Sequence, residues 1–413
     1  MRLLPFLRHL ILTLPLLLIL EGSASFAQQL GDGDLLTRVI DTGSGHASVT
    51  AIPGGHYMVY DTGHWNHDNH VLTRVQEVVP AGETIDLLVL SHSDSDHLAA
   101  TDEILQNYTV RMILRTGLER TTGTWGDAES AINQARAAGT AVFDLGYLDF
   151  EPGTGFQFGE TTITFLSGHY WPTHYSSIFR ENGTCRDLSK CRNAGSIVLR
   201  LEYAGRSILF TGDAVGRLDD TPANTAPIAT EAEILGRSGT IPVDSDVLIA
   251  AHHGADNANS ANFITAVSPE WVIFPAGAAH EHPKQTTADR VLAAGVALDH
   301  ILRTDLGSNG GGDEWDHGNT TDGDVVGDDD VDIIIRANGT LEVGYRAVVG
   351  GVAVDEGGVT APIGDAATCR PRSECTRVCR MSQACGNGCI GATQNCTQAQ
   401  GTACNLSEIC PGT

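Results

Sequence analysis

Short apolar runs recur along this chain, each giving way to a polar turn or an amphipathic stretch. Between about residues 36 and 345, β-rich runs fall at 56–60, 86–90, 110–114, 162–166, 196–202, 207–210, 246–250, 271–275 and 332–336. Apolar positions recur at helical spacing over 98–106, 128–138, 261–267 and 287–294. Strands that are apolar at successive positions are buried on both faces, and the intervening helices supply the cover. The pattern predicts an α/β fold of layered sheets with helices outside. No short internal repeat interrupts it.

The two ends depart from that pattern. Arg2 and Arg8 precede an apolar run over residues 10–20, and Ser25-Phe26-Ala27 then forms a cleavage site before Gln28. Residues 1–27 read as a signal peptide, too short for a comfortable membrane span, which predicts a secreted or periplasmic protein. At the other end, a Gly/Ala/Val/Pro linker over 350–365 leads into a tail over 366–413. That tail carries Cys369, Cys375, Cys379, Cys385, Cys389, Cys396, Cys404 and Cys410. Cys185 and Cys191 complete the ten, and an exported chain with even clusters predicts disulfides. Zinc is the competing reading, but the tail has no histidine. A module this small has little core and depends on crosslinks. Arg370, Arg372, Arg377 and Arg380 make it mildly basic, which leaves contact with a cell surface open.

Residues 28–349 are long enough for one large catalytic domain, and 41% hydrophobic residues fill a substantial core. The formal charge of −26 over 413 residues encodes no long-range attraction to a polyanion. Within 307–332 a glycine-rich stretch turns acidic, which suits either a solvated loop or calcium.

Chemistry concentrates where the apolar runs end. The run 86–90 is followed by Ser91-His92-Ser93-Asp94-Ser95-Asp96-His97, four potential metal ligands in one turn. A plain polar turn in which Asp96 caps the next helix is the alternative. Four further runs repeat the placement, ending in Asp61-Thr62-Gly63, Thr211-Gly212-Asp213, His252-His253-Gly254 and His280-Glu281-His282-Pro283. In layered α/β folds such ends gather along one edge of the sheets. His64, Trp65, His67 and His70 either line the mouth of that edge or form a polar surface loop.

This ordered set resembles the metallo-β-lactamase superfamily, and within it the extracytoplasmic hydrolase domain of ComEC-type competence proteins, over roughly residues 36–345. The resemblance implies an αββα four-layer sandwich, here followed by the small disulfide-rich C-terminal module. It implies two divalent metal ions, zinc or manganese. Asp96, His97, Asp213 and one of His252 and His253 would hold one, and His92, Asp94 and Asp213 the other. Asp94 stands where the superfamily usually has a histidine, as in the ComEC-like branch. Asp61 would order the ligand loop. At the superfamily's third histidine position this chain has Asn193, with His169 and His174 as possible substitutes.

The function implied is a secreted metal-dependent hydrolase, of phosphodiesterase type, using a metal-bridging hydroxide as nucleophile. Asp96, His280 and His282 would take catalytic roles, with Lys284 near phosphate. The substrate would be a small-molecule or polymeric ester. A lactonase or β-lactamase acting on cyclic acyl substrates is the alternative, and a surface-binding protein with an incidental hydrolase domain is a third.

Overall fold

The computed structural model describes residues 30–145, 151–168, 180–181, 184–185, 188–218, 221–222, 225–305, 311–315, 329–346, 359–361, 377–379, 382–385, 387–391 and 401–405. The N-terminal signal segment, His169, His174, most of the acidic stretch and most of the tail lie outside these residues.

The chain opens with three antiparallel strands, β1 (Leu35–Ile40), β2 (Ala47–Ile52) and β3 (His56–Thr62). Helices α1 (Asp68–Val78), α2 (Thr101–Asn107) and α3 (Gly123–Ala138) alternate with strands β4 (Thr84–Leu90), β5 (Thr109–Arg115) and β6 (Ala141–Asp144). Those three strands add in parallel beside β3. A second sheet starts with antiparallel β7 (Gly155–Phe158) and β8 (Thr161–Ser167). A short ribbon, β9 (Arg180–Glu181) with β10 (Thr184–Cys185), precedes helix α4 (Leu188–Asn193). Strands β11 (Val198–Tyr203) and β12 (Arg206–Phe210) extend the second sheet antiparallel. Helix α5 (Ala229–Arg237), strand β13 (Val247–Ile249), helix α6 (Ala261–Val267), strand β14 (Trp271–Phe274), helix α7 (Gln285–Ala293) and strand β15 (Ile301–Arg303) complete it. Its last strands are parallel. The chain then returns to the first sheet as β16 (Val331–Ile335), β17 (Leu341–Tyr345) and β18 (Val359–Ala361). The result is a nine-stranded sheet facing a seven-stranded one.

Period-two alternation in buried strands produces the layering. In β3 and β4, Met58, Tyr60, Leu87 and Val89 face the core between the sheets, where they meet Phe165, Leu199, Ile208, Phe210 and Ile249. Val59, Leu88 and Leu90 face the other way, against Val71 and Val75 of α1, Ile104 of α2 and Ile132 of α3. On the outer face of the second sheet, Leu209, Leu248 and Val272 pack against Ile234, Phe263 and Val291 of α5, α6 and α7. These are the four layers αββα.

The sequence pattern missed β1 and β2, whose polar residues break the apolar runs. Within the sheet those residues satisfy each other. The hydroxyls of Thr37 and Thr50 are 2.9 Å apart across the two strands, and Arg38 donates to Asp332 at 2.7 and 2.9 Å. The end of the acidic stretch is likewise not a solvated charge run. Asp330 is buried, pairs with Arg74 at 2.7 Å and Arg346 at 3.4 Å, and accepts from the Asp41 amide at 2.9 Å.

Strands β19 (Arg377–Cys379), β20 (Ser382–Cys385), β21 (Gly388–Gly391) and β22 (Ala403–Asn405) pair among themselves. Among the described residues no cysteine is a free thiol, and no helix is long and apolar enough to cross a membrane.

One buried acid sets a pH-dependent term in stability. Glu231 on α5 is fully buried and accepts from the Ser260 amide at 3.1 and 3.3 Å. Its carboxyl rests against Gly216, where an added Cβ would lie 1.9 Å from it, so only glycine fits there. Burial pushes the Glu231 carboxyl up to about 7, against the Ser260 and Asn259 hydrogen bonds and the Arg290 charge. A carboxyl raised on folding binds more protons in the folded chain than in the unfolded one. The contribution of Glu231 to stability is therefore fully present below the ordinary value of 4.5 and is lost as pH rises toward about 7, by on the order of 3 kcal/mol. Glu231→Gln should remove this slope. In urea unfolding, the variant is expected to match the wild type at pH 5 and exceed it at pH 8. A wild-type midpoint that holds constant over that range would refute the assignment.

Candidate functional site

The strand ends expected to gather do so along one edge of the sandwich. β3 runs into Asp61, β4 into the turn carrying His92 to His97, β12 into Asp213, and β13 into His252 and His253. Several of these turns adopt left-handed backbone without glycine: Asp61 at φ 56°, His252 at 52°, His253 at 54° and Glu281 at 55°. Such conformations cost about 1–3 kcal/mol each and persist where the surroundings hold them. Gly212, at φ 50°, lets the β12 turn approach Ser91, which an added Cβ would meet at 2.7 Å. That approach sets Asp213 against the ligand turn.

Asp61 organises the turn from beneath. Its carboxylate accepts from the Ser91 amide at 2.7 Å, the Ser91 hydroxyl at 2.7 Å and His97 Nδ1 at 2.8 Å. Burial opposes its charge, but the His97 and His46 imidazoles hold the carboxyl well below the ordinary range. Each ligand-type histidine has its Nδ1 engaged in the same way. His97 Nδ1 donates to Asp61, and His253 Nδ1 donates to the Pro275 carbonyl at 2.7 Å. His92 Nδ1 lies 3.0 Å from the Ser91 hydroxyl, whose own proton goes to Asp61. All three Nε2 lone pairs are left pointing at one another and at carboxylates, the arrangement outer hydrogen bonds impose on metal-binding imidazoles.

The resulting donor set is compact. Asp213 Oδ1 is 3.2 Å from His97 Nε2 and 3.5 Å from His253 Nε2, and Asp96 Oδ2 is 3.6 Å from His253 Nε2. The Nε2 atoms of His97 and His253 are 3.3 Å apart. Asp96, His97 and His253 offer ligand atoms all within 4.8 Å of one another, as do His92, His97 and Asp213. His92 Nε2 and Asp213 Oδ1 are buried with no hydrogen-bond partner. Burial works against charge on His97, yet Asp213 and Asp61 pull its imidazole well above the ordinary value. A buried pocket of convergent lone pairs and carboxylates that draws positive charge fits a divalent cation.

The remaining expected residues divide. His253 Nε2 faces Asp213 Oδ1, and His252 Nε2 faces Asp213 Oδ2 at 3.6 Å. His252 Nδ1 is 2.7 Å from Asn257 Oδ1, and its Nε2 is 3.1 Å from the Asn193 amide nitrogen. Asn193 also reaches Asp213 Oδ2 at 3.4 Å. Asp96 is no helix cap, because α2 begins at Thr101 behind Ala100 with no side-chain cap. Asp94 departs most from expectation. Its carboxylate is held by Arg120 at 2.7 Å and by Arg192, and it enters no ligand cluster.

The donors floor a cleft of about 590 Å³ whose walls include Trp65, Arg120, Asn193, His280 and His282. His282 lies over the ligand histidines, its ring 6.2 Å from His253 and 5.9 Å from His252. Burial, then those two neighbours, pushes its imidazole down to about 2. His280 is exposed at the rim. Lys284 instead pairs with Glu281 at 2.9 Å and lines an adjoining hollow. Trp65 stands at the mouth, 53% exposed, with its ring 3.7 Å from that of His64, whereas His70 lies within α1.

Sequence reasoning missed Arg120, Arg192, Ser91 and His46. The arginines follow no motif. His46 is buried with Nδ1 3.4 Å from Asp61, a contact made through β2 pairing rather than sequence proximity. Asp61→Asn is expected to weaken metal affinity by roughly 10- to 100-fold, because the amide no longer holds the His97 and Ser91 protons. Chelator competition would measure it, and unchanged affinity would mean that other contacts orient His97.

The sequence model of the metallo-beta-lactamase superfamily matches residues 41–253, just over half of the chain. The chain is 27% identical to Competence protein ComA of Neisseria gonorrhoeae over 297 residues, covering 70% of this chain and 34% of that protein. It is 22% identical to ComE operon protein 3 of Bacillus subtilis (strain 168) over 285 residues, 65% of this chain and 31% of that protein. The chain thus spans about a third of the length of these relatives. Among solved structures, CmlA, a diiron beta-hydroxylase from Streptomyces venezuelae, aligns at 14% identity and a TM-score of 0.39, covering 67% of this chain and 53% of that one.

Proposed function

The chain belongs to the metallo-beta-lactamase superfamily, a hydrolase of that fold, and from this premise we propose that it hydrolyses phosphodiesters outside the cytoplasm. The observation that carries the reading is the convergence of His92, His97 and His253 Nε2 with Asp96 and Asp213 carboxylates at the floor of the cleft.

Asp96, His97, His253 and Asp213 would hold the metal, with Asp61 and Ser91 orienting them. A bound zinc or manganese ion supplies Lewis acidity and a lowered pKa for water in the cleft. The chain's own residues do the rest. His282 roofs the floor and limits water around the donors, while its burial keeps the imidazole neutral beside an incoming anion. His280, exposed at the rim, brings a proton to the departing oxygen. Trp65 offers a flat apolar surface to the ester's organic group.

The N-terminal apolar segment is proposed to export the chain, and the tail to be a separate disulfide-stapled module. Pairing of its described strands only with each other, and the lack of free thiols among the described residues, support that division.

The test is a substrate panel with added zinc or manganese: bis(p-nitrophenyl) phosphate, single-stranded DNA, nitrocefin and a homoserine lactone. Metal-dependent turnover of a phosphodiester is expected. Turnover of the lactone or nitrocefin alone would replace the reading with acyl hydrolysis. The competence relatives motivate the DNA arm, and the net charge of −26 favours the small diester.

A further inference from the structure

Away from the metal cleft, a pocket of about 550 Å³ opens between α6 and α7 and shares no lining residue with that cleft. Its walls come from side chains too small to close it: Ala261 and Thr265 on α6, Ala293 on α7 and Ala294 just beyond. A hollow of this size, with apolar walls and a few polar groups, suits a small molecule. Two arginines dominate the polar part. Arg290 is fully engaged: Nε donates to the Asn259 carbonyl at 3.0 Å, Nη1 to Asp256 at 2.9 Å and Nη2 to the Ala258 carbonyl at 3.0 Å. Arg217 differs. Its side chain is only 3% exposed and Nη2 donates to the Thr221 carbonyl, yet Nε and Nη1 are buried with no hydrogen-bond partner. Asp256 Oδ1 accepts from Arg290 and from the Thr286 hydroxyl at 2.7 Å, and lies 3.5 Å from Arg217 Nη1. Two buried guanidiniums thus share one carboxylate. Asp289, the other acid of the lining, is exposed and accepts from Gln285 at 2.9 Å.

We propose that this pocket binds a small organic carboxylate, at a site separate from the one that hydrolyses the ester. An enclosed guanidinium with unmet N–H groups calls for an acceptor, and an anion supplies both the missing hydrogen bonds and the missing counter-charge. The carboxylate head lies on Arg217, and the organic body lies against Ala261, Ala293 and Ala294. Arginine keeps its charge at any working pH, so the ionised acid is the form bound throughout the neutral range. A dianion such as phosphate is disfavoured, because one positive charge is left over by Asp256 and Asp289 stands in the same lining. Its outer oxygens would also meet alanine walls rather than donors.

Calorimetric titration of the metal-loaded full chain with benzoate, and with benzamide as its uncharged counterpart, tests the site. Saturable benzoate binding is expected, with benzamide at least roughly tenfold weaker. Arg217→Gln should weaken benzoate binding by roughly tenfold or more, the loss of one charge-assisted hydrogen bond, with metal content as in the wild type. Arg217 is buried, so a variant on the exposed surface of α7 checks the same pocket independently of folding. Ala293→Leu leaves Arg217 in place, fills the apolar wall and should cut benzoate affinity by a similar factor, with the melting temperature unchanged. Benzoate that bound at the metal instead would keep its affinity in both variants, and that result would overturn the proposal. No benzoate binding to the wild type, or equal binding of benzamide, would overturn it as well. The hydrolase reading stands or falls separately, since neither residue lines the cleft.

Discussion

Asp213→Ala is expected to abolish metal binding and to lower the phosphodiester turnover proposed above by roughly a thousandfold or more. Asp213 is the residue on which the site converges. Oδ1 faces His97 and His253 at 3.2 and 3.5 Å, and Oδ2 faces His92 and His252 at 3.7 and 3.6 Å. Its amide donates to the Ser196 hydroxyl at 3.0 Å, which fixes the turn that carries the carboxylate. Alanine would leave His97 with Asp61 as its one carboxylate contact closer than 3.5 Å, and His92 and His252 without the carboxylate they face. Asp213→Asn separates charge from shape. It keeps the side chain's outline yet should lose metal nearly as completely. Elemental analysis and bis(p-nitrophenyl) phosphate turnover measure the pair. Normal metal content in Asp213→Ala would place the anchoring carboxylate elsewhere.

The largest effect on stability is expected from Arg206→Met, a loss of about 3–5 kcal/mol. Arg206 is fully buried at the start of β12. Nη1 reaches Asp246 at 2.9 Å and Glu270 at 3.2 Å, while Nε donates to the Gly339 carbonyl at 3.1 Å, in the turn between β16 and β17. One guanidinium thus ties the second sheet to the first and pairs with two enclosed carboxylates. Methionine fills the volume but leaves Asp246 charged and buried, which costs more than the pair itself contributes. Urea unfolding would register the loss. The double variant Arg206→Met/Asp246→Asn should recover a large part of it, because the stranded charge is gone. A single variant within 1 kcal/mol of the wild type would show that the remaining contacts of Asp246 and Glu270 suffice.

Much of this protein was legible in the chain because local patterns carry their own consequence. Leu87 and Val89 alternate with Leu88 and Leu90, and such a run, bounded by turn residues, reads as a strand covered on both faces. Motifs at strand ends placed Asp61, His92, Asp96, His97 and Asp213 along one edge, where the structure has them. β1, β2 and α1 were not legible. Thr37 and Thr50 satisfy each other only once their strands pair, and α1 shows its buried face through Val71 and Val75 alone.

The sequence by itself determined the layered architecture, the edge that carries the chemistry and the histidines and carboxylates from which a metal site is built. Tertiary structure alone decided how those donors are shared. His253 faces Asp213 Oδ1 with His97, whereas His252, its Nδ1 held by Asn257, faces Asp213 Oδ2 beside Asn193. Asp94 sits in the same turn, but its carboxylate pairs with Arg120 beyond β5 and Arg192 at the end of α4. A carboxylate goes to whichever positive group lies nearest, and in this chain those groups come from segments some 26 and 98 residues away, at distances that only folding sets.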